Sequence, residues 1–452
     1  MKRSTIIVIG GLAAGPSAAA KAARTNPHAE VILFEQSETV SYGVCEIPYL
    51  IGGDIEDETK LVLFSPEKLA SEKKFSVKIL QLVEKIIPNN HKIIVRDLNA
   101  NTLKEYHYDR LIIATGAVPK KINIDGENAR NVFYVRSRAE TLALMNFLKT
   151  ENPKKAVIVG GGFIGLEMAE ALRKKKLKVT ILHNDNLPLD NFEIETSEEV
   201  LKELKKQEIE FIPNAKIEAF IKSKSEKIEF VITNRGTFET DIVVIAIGIV
   251  PNTGLARAAG IRLGINGAIK VNNYQETSID RIYAAGDCCE VKNIVTAKPA
   301  YIPFATVASR SAWVAGENAA GERSKFTGGI YSAALKLFSL EISKVGISSK
   351  EATALRYRVV TDFITTNSRI PFMPGNKKLS VKLIVDQTSR KILGANVFGE
   401  DGAALRANTL AAAIQQKLTV DELSKLDLIY APTFSPLWDP ILIAANSMKK
   451  KL

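Results

Sequence analysis

Cysteine is scarce in this chain, with only three among 452 residues. Two of them, Cys288 and Cys289, are neighbours in sequence, and neighbouring cysteines form a disulfide only with strain, so we expect both to be packing residues. This arrangement excludes a disulfide framework and indicates a reducing, cytoplasmic compartment. The four histidines are scattered without the spacing of metal ligands, so no metal site is predicted.

Long hydrophobic runs are also missing. No stretch reaches the roughly 18 uninterrupted apolar residues that a membrane-spanning helix needs. The start of the chain, MKRSTIIVIGG, has a basic edge followed by an apolar run. That run is too short for a signal peptide and leads directly into a glycine loop, as a first β-strand would. We therefore expect neither secretion nor a membrane partner.

The chain also lacks a basic stripe with interleaved aromatic residues, although its net charge is +11. Lysine and arginine are spread along the sequence, with only short clusters such as residues 173–176 and 449–451. This distribution argues against nucleic-acid binding. It favours a solvated surface that attracts anionic small molecules.

The composition is that of an ordinary globular protein, with 46% hydrophobic and 25% charged residues, and the length suggests about three domains of roughly 150 residues. The opening TIIVIGGLAAGPSAAAKAAR predicts a strand over Thr5–Ile9, a tight turn over residues 10–15 and a helix over residues 17–24. Gly10 permits the turn, Gly15 permits close packing of the helix, and the helix N-terminus can bind a pyrophosphate. The next strand, VILFE, ends at Glu35, where an acid can bind a ribose hydroxyl.

A second loop of this kind follows about 150 residues later. AVIVGGGFIGLEMAEAL has Gly160, Gly162 and Gly165 in G-x-G-x-x-G spacing between a strand and a helix, so two nucleotide sites are predicted. The strand after it, KVTILHND, offers His183 and Asn184 where an acid or a basic residue usually chooses between NAD and NADP. The preference for either nicotinamide cofactor stays open at this point.

Further apolar strands, RLIIATGAVP, IVVIAIGIVPN and DRIYAAGD, end in small-residue turns, and from Phe326 onward the pattern predicts an antiparallel sheet with helices. Together these segments resemble the FAD-dependent pyridine nucleotide–disulfide oxidoreductases over essentially the whole chain. The resemblance implies an α/β fold with two Rossmann-like nucleotide-binding domains, one inserted in the other, and a C-terminal α+β dimerisation domain. The implied boundaries are 1–118 with 250–324 for FAD, 119–249 for NAD(P)H and 325–452 for dimerisation.

The same resemblance implies which residues bind the cofactors. For FAD they are Gly10, Gly11, Ala13, Ala14, Gly15, Glu35, Ala114, Thr115, Gly116, Gly286 and Asp287, the last on the ribityl chain. For NAD(P)H and its surroundings they are Gly160, Gly162, Ile164, Gly165, Glu167, His183 and Gly248.

The stretch SYGVCEIPY indicates the branch of the family, because Cys45 stands alone and the C-terminal YAPTFSPLWDP contains no histidine. This combination resembles coenzyme A disulfide reductases, NADH oxidases and peroxidases, and persulfide or polysulfide reductases. It implies that Cys45 is a redox thiol rather than a packing residue. It also implies that Tyr430 reaches the site across a homodimer interface and acts as the proton donor.

Positions that contact coenzyme A in the resembled enzymes are occupied here by Ser17, Lys21, Arg24, Ser41 and Lys73; for the three basic residues, solvated surface charge is an equal alternative. Several positions depart from the pattern: Glu46 replaces a common glycine, Val44 an asparagine, Trp438 a lysine, and residues 372–376 read FMPGN instead of YYPGN. A carboxylate at Glu46 that pointed at the sulfur would oppose thiolate formation.

The predicted function is transfer of electrons from NAD(P)H through FAD and Cys45 to a low-molecular-weight disulfide, persulfide or polysulfide. One alternative is an NADH oxidase or peroxidase in which Cys45 cycles through a sulfenic acid. A second is a redox-sensing or electron-transfer flavoprotein whose thiol does not turn over. The sequence leaves the electron acceptor open.

Overall fold

The computed structural model describes residues 4–452. Its α-helices are α1 Ala14–Thr25, α2 Ile47–Gly52, α3 Pro66–Lys73, α4 Arg138–Glu151, α5 Phe163–Lys174, α6 Ile194–Lys206, α7 Gly254–Ala258, α8 Ala305–Ala319, α9 Ser349–Ala354, α10 Ala403–Gln415, α11 Val420–Leu423 and α12 Pro440–Lys449. Its strands are β1 Thr5–Ile9, β2 Glu30–Phe34, β3 Ser76–Lys78, β4 Gln81–Ile87, β5 Lys92–Asp97, β6 Thr102–His107, β7 Arg110–Ile113, β8 Ala117–Pro119, β9 Val132–Tyr134, β10 Lys155–Val159, β11 Lys178–Leu182, β12 Glu210–Ile212, β13 Ile217–Lys222, β14 Ile228–Thr233, β15 Gly236–Glu239, β16 Ile242–Ile245, β17 Ile249–Pro251, β18 Ile282–Ala284, β19 Val291–Lys292, β20 Pro299–Ala300, β21 Ser332–Leu337, β22 Leu340–Gly346, β23 Val359–Asn367, β24 Lys378–Asp386 and β25 Ile392–Gly399.

The chain divides into two compact units. Unit 1 comprises the described residues up to Ile47, together with Ile55–Lys120 and Ile249–Gly329; unit 2 comprises Pro48–Asp54, Lys121–Gly248 and Ile330–Leu452.

Unit 1 is built on a parallel sheet with the strand order β18-β7-β1-β2-β3. Strands β1, β2, β7 and β18 are near-continuous apolar runs because both faces of the sheet are covered there, whereas the edge strand β3 is partly exposed. Helices α1 and α8 pack together over one face through small side chains, among them Ala18, Ala22, Ala312 and Ala315. Helix α1 begins at Ala14, inside the predicted turn, so the helix N-terminus lies within the glycine loop itself.

Smaller antiparallel sheets complete unit 1. Strands β4, β5 and β6 form a three-stranded sheet, while β8 pairs with β17 and β19 with β20. The β8–β17 pair joins the ends of the two predicted segments RLIIATGAVP and IVVIAIGIVPN.

Unit 2 contains a second parallel sheet, in the order β12-β11-β10-β16-β9, and a small antiparallel sheet of β13, β14 and β15. Its C-terminal part is an antiparallel sheet in the order β21-β22-β25-β24-β23, against which α10 and α12 pack. The structure thus has the two parallel α/β sheets and the C-terminal α+β part that the sequence predicts.

Polar contacts fasten the segment before and within α6 to the C-terminal sheet of unit 2. The Oδ1 atom of Asn396, a fully buried residue of β25, accepts hydrogen bonds from the Glu193 backbone N–H (2.8 Å) and the Thr196 hydroxyl (3.0 Å). Lys382 of β24 pairs with Glu193 (3.2 Å) and Glu195 (2.6 Å). Lys344 of β22 donates to the Asn191 carbonyl.

Within residues 4–452, no helix is both long and apolar enough to cross a membrane. The same part of the chain holds no group of three or more His, Cys, Asp and Glu side chains arranged to bind a metal ion.

Candidate active site

The first glycine loop closes around its own backbone. A Cβ on Gly15 would collide with the carbonyl oxygen of Gly10, and the second loop repeats this contact between Gly165 and Gly160. In both loops the last glycine therefore allows the first turn of the helix to pack against the end of the strand. The N-terminus of the helix then faces the loop. Such a cradle of N–H groups suits a pyrophosphate.

Glu35 fixes the edge of the first loop. This buried carboxylate accepts hydrogen bonds from the Gly11 N–H (2.6 Å) and the Ser37 N–H (2.8 Å). A carboxylate has acceptor capacity for more than two such bonds, so Glu35 can still bind ribose hydroxyls. The predicted role of Glu35 toward the ribose of FAD fits this geometry.

The carboxyl ends of β1, β7 and β18 meet at this loop, because the Ala114 N–H donates to Ile9 and the Ala285 N–H to Ile113. These strand ends place the turn at residues 114–116 next to the segment that contains Gly286 and Asp287. Ligands of open parallel sheets bind at this edge. The residues predicted for FAD in unit 1 are therefore collected at one edge of one sheet.

Three hydrogen bonds that were not predicted support this edge. The Thr115 hydroxyl donates to the Asn252 carbonyl (2.6 Å), and the Asn252 N–H donates to Gly116 (2.9 Å). The Gly286 N–H donates to the buried Ser311 hydroxyl of α8 (3.2 Å). One sequence signal was available for this contact: both β8 and β17 end in Val-Pro. That repeat could have indicated that the two strands pair and bring Asn252 to the turn at residues 114–116.

The cysteine segment is tied to the first nucleotide loop by its backbone. The Ser41 N–H donates to Gly11 (2.8 Å), while the Ser41 carbonyl accepts from Leu63 (3.1 Å) and the Gly43 N–H donates to Leu61 (2.8 Å). Cys45 follows in an exposed turn that leads into α2. Residues 41–45 are thus positioned beside the predicted FAD loop.

The Glu46 carboxylate folds back on this turn. A Cβ on Gly43 would lie only 2.5 Å from Oε2 of Glu46, so a glycine at position 43 makes room for the carboxylate. The other two cysteines differ from Cys45, because Cys288 and Cys289 are buried and their thiols donate to main-chain carbonyls of Ala285 and Gly286 (both 3.3 Å). These contacts favour the packing role expected for the pair.

The predicted substrate-binding residues lie on two helices and the cysteine segment. Ser17, Lys21 and Arg24 share one face of α1, with spacings of four and three residues. Lys21 already has partners in α8: it forms an ion pair with Glu317 (2.7 Å) and lies over the half-exposed ring of Trp313. No sequence pattern pointed to this pairing.

The fifth substrate candidate, Lys73, ends α3, and its ammonium lies 5.3 Å from the centroid of the Phe64 ring. Lys68 of the same helix lies over that ring as well. Lys68 also lies 3.9 Å from Glu72, so within the described residues Lys73 is the lysine at this ring without an acidic partner, and its ammonium suits an anionic ligand.

The second loop, in unit 2, has an imidazole where the first has a carboxylate. His183 directly follows β11, is 6% exposed, and accepts a hydrogen bond from the Gly161 N–H at Nδ1 (3.1 Å). Gly162 is the N-cap of α5, and Ile164 lies in its first turn. Gly248, the last residue of unit 2 before β17, follows the carboxyl end of β16.

Glu167 of α5 has an unusual carboxyl group. Burial and the neighbouring Glu170 raise its pKa to about 7. Burial and these two carboxylates also raise the pKa of Tyr49 in α2. Within the described residues Glu170, unlike Glu167, forms an ion pair, with Lys174 (2.8 Å). Lys174 also pairs with Asp54, which follows α2 (2.7 Å). Carboxyl pKa values raised in this way are common at functional sites, so Glu167 stays a candidate site residue.

Tyr430 lies in an apolar and exposed part of the C-terminal domain. Its side chain is 47% exposed, and the surrounding segment exposes further large side chains: Ile429, Phe434, Leu437 and Trp438. So many exposed large apolar side chains within ten residues are typical of a protein–protein interface.

Comparison with known proteins agrees with this geometry. The family model for the pyridine nucleotide-disulphide oxidoreductases matches residues 4–312, and the model for their dimerisation domain matches residues 332–440. A relative from Pyrococcus horikoshii, named NAD(P)H coenzyme A polysulfide/persulfide reductase, is 34% identical over 99% of both chains. A relative from Methanocaldococcus jannaschii, named NADH oxidase, is 32% identical over 99% of both.

The fold also matches a solved structure, that of reduced CoADR-RHD from Bacillus anthracis. The TM-score is 0.96 at 31% identity, and the match covers 100% of this chain and 81% of that one. These comparisons confirm the predicted fold class, the predicted cofactors FAD and NAD(P)H, and the homodimer. The chain belongs to the pyridine nucleotide-disulphide oxidoreductase family.

Proposed function

We propose that this enzyme transfers electrons from NAD(P)H, by way of FAD and Cys45, to the sulfur of a low-molecular-weight disulfide, persulfide or polysulfide. The observation that carries the proposal is the hydrogen bond from Ser41 to Gly11 (2.8 Å), because it ties the Cys45 segment to the FAD loop. Cys45 is also the one cysteine of the chain with an exposed side chain, so a soluble acceptor can reach it.

The residues at the edge of the unit 1 sheet fit FAD, with the loop at residues 10–15 for the pyrophosphate, Glu35 for the ribose and Asp287 for the ribityl chain. When bound, FAD supplies the two-electron chemistry that links the nicotinamide to sulfur. Cys45 acts as a thiolate that attacks the acceptor. One sulfur–sulfur bond forms to Cys45 while another breaks, and the leaving sulfur takes the electron pair and then a proton.

Tyr430 is the proposed donor of that proton, contributed by the other copy in the homodimer. Its half-exposed position within an apolar surface supports this role, because a tyrosine there becomes buried when the copies associate. The α1 face with Ser17, Lys21 and Arg24, together with Ser41 and Lys73, would bind the anionic part of the acceptor. Lys21 can do so only by sharing its charge with Glu317.

A second candidate function is reduction of oxygen or peroxide with Cys45 cycling through a sulfenic acid. The relative from M. jannaschii named NADH oxidase, 32% identical over 99% of both chains, favours keeping this candidate. We further propose a cytoplasmic location, since an exposed thiol such as Cys45 persists most readily in a reducing compartment.

Stopped-flow spectroscopy tests the proposal. The flavin is reduced by NADH or NADPH and then mixed with coenzyme A disulfide, polysulfide, peroxide or oxygen. We expect rapid reoxidation by a sulfur acceptor in the native enzyme and its loss in Cys45→Ser, while reduction of the flavin by the nicotinamide stays nearly unchanged. Rapid reoxidation by oxygen or peroxide alone would select the second candidate. Full sulfur reductase turnover in Cys45→Ser would refute the role of the thiol.

A further inference from the structure

We propose that this enzyme selects NADH over NADPH, and that the loop formed by residues 183–190 carries the selectivity. The inference deepens the proposed function and rests on it, since it concerns the nicotinamide site in unit 2. It goes beyond the sequence, in which neither His183 nor Asn184 distinguishes the two cofactors.

His183 lies at the position that distinguishes NADH from NADPH in dinucleotide-binding units. In a dinucleotide-binding unit, the residue that ends the second strand lies at the adenosine ribose: an acid there binds the 2′-hydroxyl, and an arginine nearby accommodates a 2′-phosphate. Glu35 and His183 occupy this position in units 1 and 2, and each accepts from the N–H of the second residue of its loop. The two sites therefore have the same architecture with different chemistry.

His183 has the hydrogen-bond geometry of a neutral imidazole, because its Nδ1 accepts from the Gly161 N–H. Burial lowers its pKa below the ordinary value, and the neighbouring Asp190 and Asp185 only partly offset this effect. Because Nδ1 accepts from Gly161, the proton of the neutral ring lies on Nε2. Within the described residues no group meets this Nε2 with full hydrogen-bond geometry, although the Leu187 backbone lies close enough to raise the pKa of the ring. A ribose hydroxyl oxygen would satisfy this donor, and the discrimination against a 2′-phosphate must then come from the charges around the ring.

The charges that act directly on the His183 ring are acidic. They belong to Asp185 and Asp190. The segment HNDNLPLDNFE over residues 183–193 contains no lysine or arginine. A 2′-phosphate would thus meet repulsion from two carboxylates, whereas a 2′-hydroxyl would not; Lys344, the lysine that acts on Asp190, is buried and already donates to the Asn191 carbonyl.

Calorimetric titration of the oxidised FAD-loaded enzyme with NAD+ and NADP+ measures the selectivity without turnover. We expect NAD+ to bind at least roughly tenfold more tightly at low ionic strength. Added salt should reduce the ratio of the two affinities, because the repulsion is electrostatic and the loop is exposed.

The variant Asn184→Arg adds a cation at an exposed loop position and should strengthen NADP+ binding several-fold with little change for NAD+.

Asn146→Arg is the matched control, because Asn146 is an exposed residue of α4 in the same unit. It makes the identical change of side chain and charge and should leave both affinities unchanged. Equal or tighter binding of NADP+ by the native enzyme would overturn the inference and leave the proposed function intact. Failure to bind either nucleotide would overturn both.

Discussion

Individual residues in this protein were predictable from sequence where a rule of local chemistry fixes them. The glycines of both loops and Glu35 belong to this class, because tight turns and the end of a second strand leave few alternatives. Lys21 does not: its partner Glu317 lies nearly 300 residues away along the chain, and nothing local specifies that pairing. The reactive interpretation of Cys45 came from family resemblance, and the structure adds its exposure and its tie to the loop.

The Glu46 carboxylate should restrain the reactivity of Cys45. It folds back over Gly43 in the turn that carries the thiol, and a nearby like charge disfavours a thiolate. We predict that Glu46→Gln increases the rate of Cys45 alkylation by iodoacetamide at pH 7 by roughly two- to tenfold. Glu56→Gln, an exposed charge removal in the same unit, is the control. An unchanged rate in Glu46→Gln would show that the carboxylate does not act on the thiol.

Glu167 should make the stability of the enzyme depend on pH. Its carboxyl pKa rises from an ordinary 4.5 to about 7 on folding, so the folded state binds more protons than the unfolded state between these values. Stability is fully present below about pH 4.5 and falls as the pH rises through about 7. We predict that Glu167→Gln is more stable than the native enzyme at pH 8, by at most about 3 kcal/mol. The difference should vanish near pH 4.

Denaturant unfolding at a series of pH values measures this difference. A gap between Glu167→Gln and native enzyme that stays constant from pH 4 to pH 8 would contradict the assignment of the titration to Glu167.

At the scale of elements, the sequence predicted the strands and helices of the nucleotide loops but not how closely the helices pack. The small side chains of α1 predicted close packing on the sheet. The structure shows that α8, from the other end of the unit 1 sequence, is pressed against α1: a Cβ on Gly316 would collide with the Ala18 carbonyl. This contact depends on the tertiary fold, which no local periodicity in α8 reveals.

This contact predicts an unusual result for a glycine-to-alanine change in a helix. Alanine normally stabilises a helix by about 1 kcal/mol, but Gly316→Ala should lower the free energy of unfolding by about 1–3 kcal/mol because α1 and α8 must separate. Gly254→Ala in α7 is the control, since a Cβ there meets nothing within 4 Å. Urea unfolding midpoints of both variants test this. A Gly316→Ala enzyme as stable as the control would refute the close packing.

At the scale of the whole molecule, the family fold could be predicted from the sequence. The grouping of chain segments into compact units could not. The predicted boundaries for three domains remain a prediction, and the contacts of the structure define two compact units. Residues 48–54 show why: adjacent in sequence to Cys45 in unit 1, they belong to unit 2, where Asp54 binds Lys174. Such grouping is set by contacts between distant segments, which sequence patterns do not encode locally.

The exposed apolar surface of the C-terminal domain should control dimerisation and activity together. We predict that Leu437→Asp produces monomers that still bind FAD and are still reduced by NADH. These monomers should lose turnover with sulfur acceptors, because Tyr430 can then no longer donate a proton in the site of a second copy. Leu103→Asp on β6 is the control, a comparably exposed leucine (54% against 68%) outside this surface. Analytical ultracentrifugation and steady-state assays measure both effects. A fully active monomer would contradict the composite site.

The fastening of residues 191–196 to the C-terminal sheet bears on how such enzymes can be recombined. Glu193 and Thr196 both rely on the buried Asn396, and Lys382 relies on two glutamates of the same segment. A chimera whose dimerisation domain has apolar residues in place of Asn396 and Lys382 would leave the polar groups of this segment buried without partners, at about 1–3 kcal/mol each. Viable crossovers should therefore keep both sides of this contact from one parent, so that the two domains are inherited as a pair.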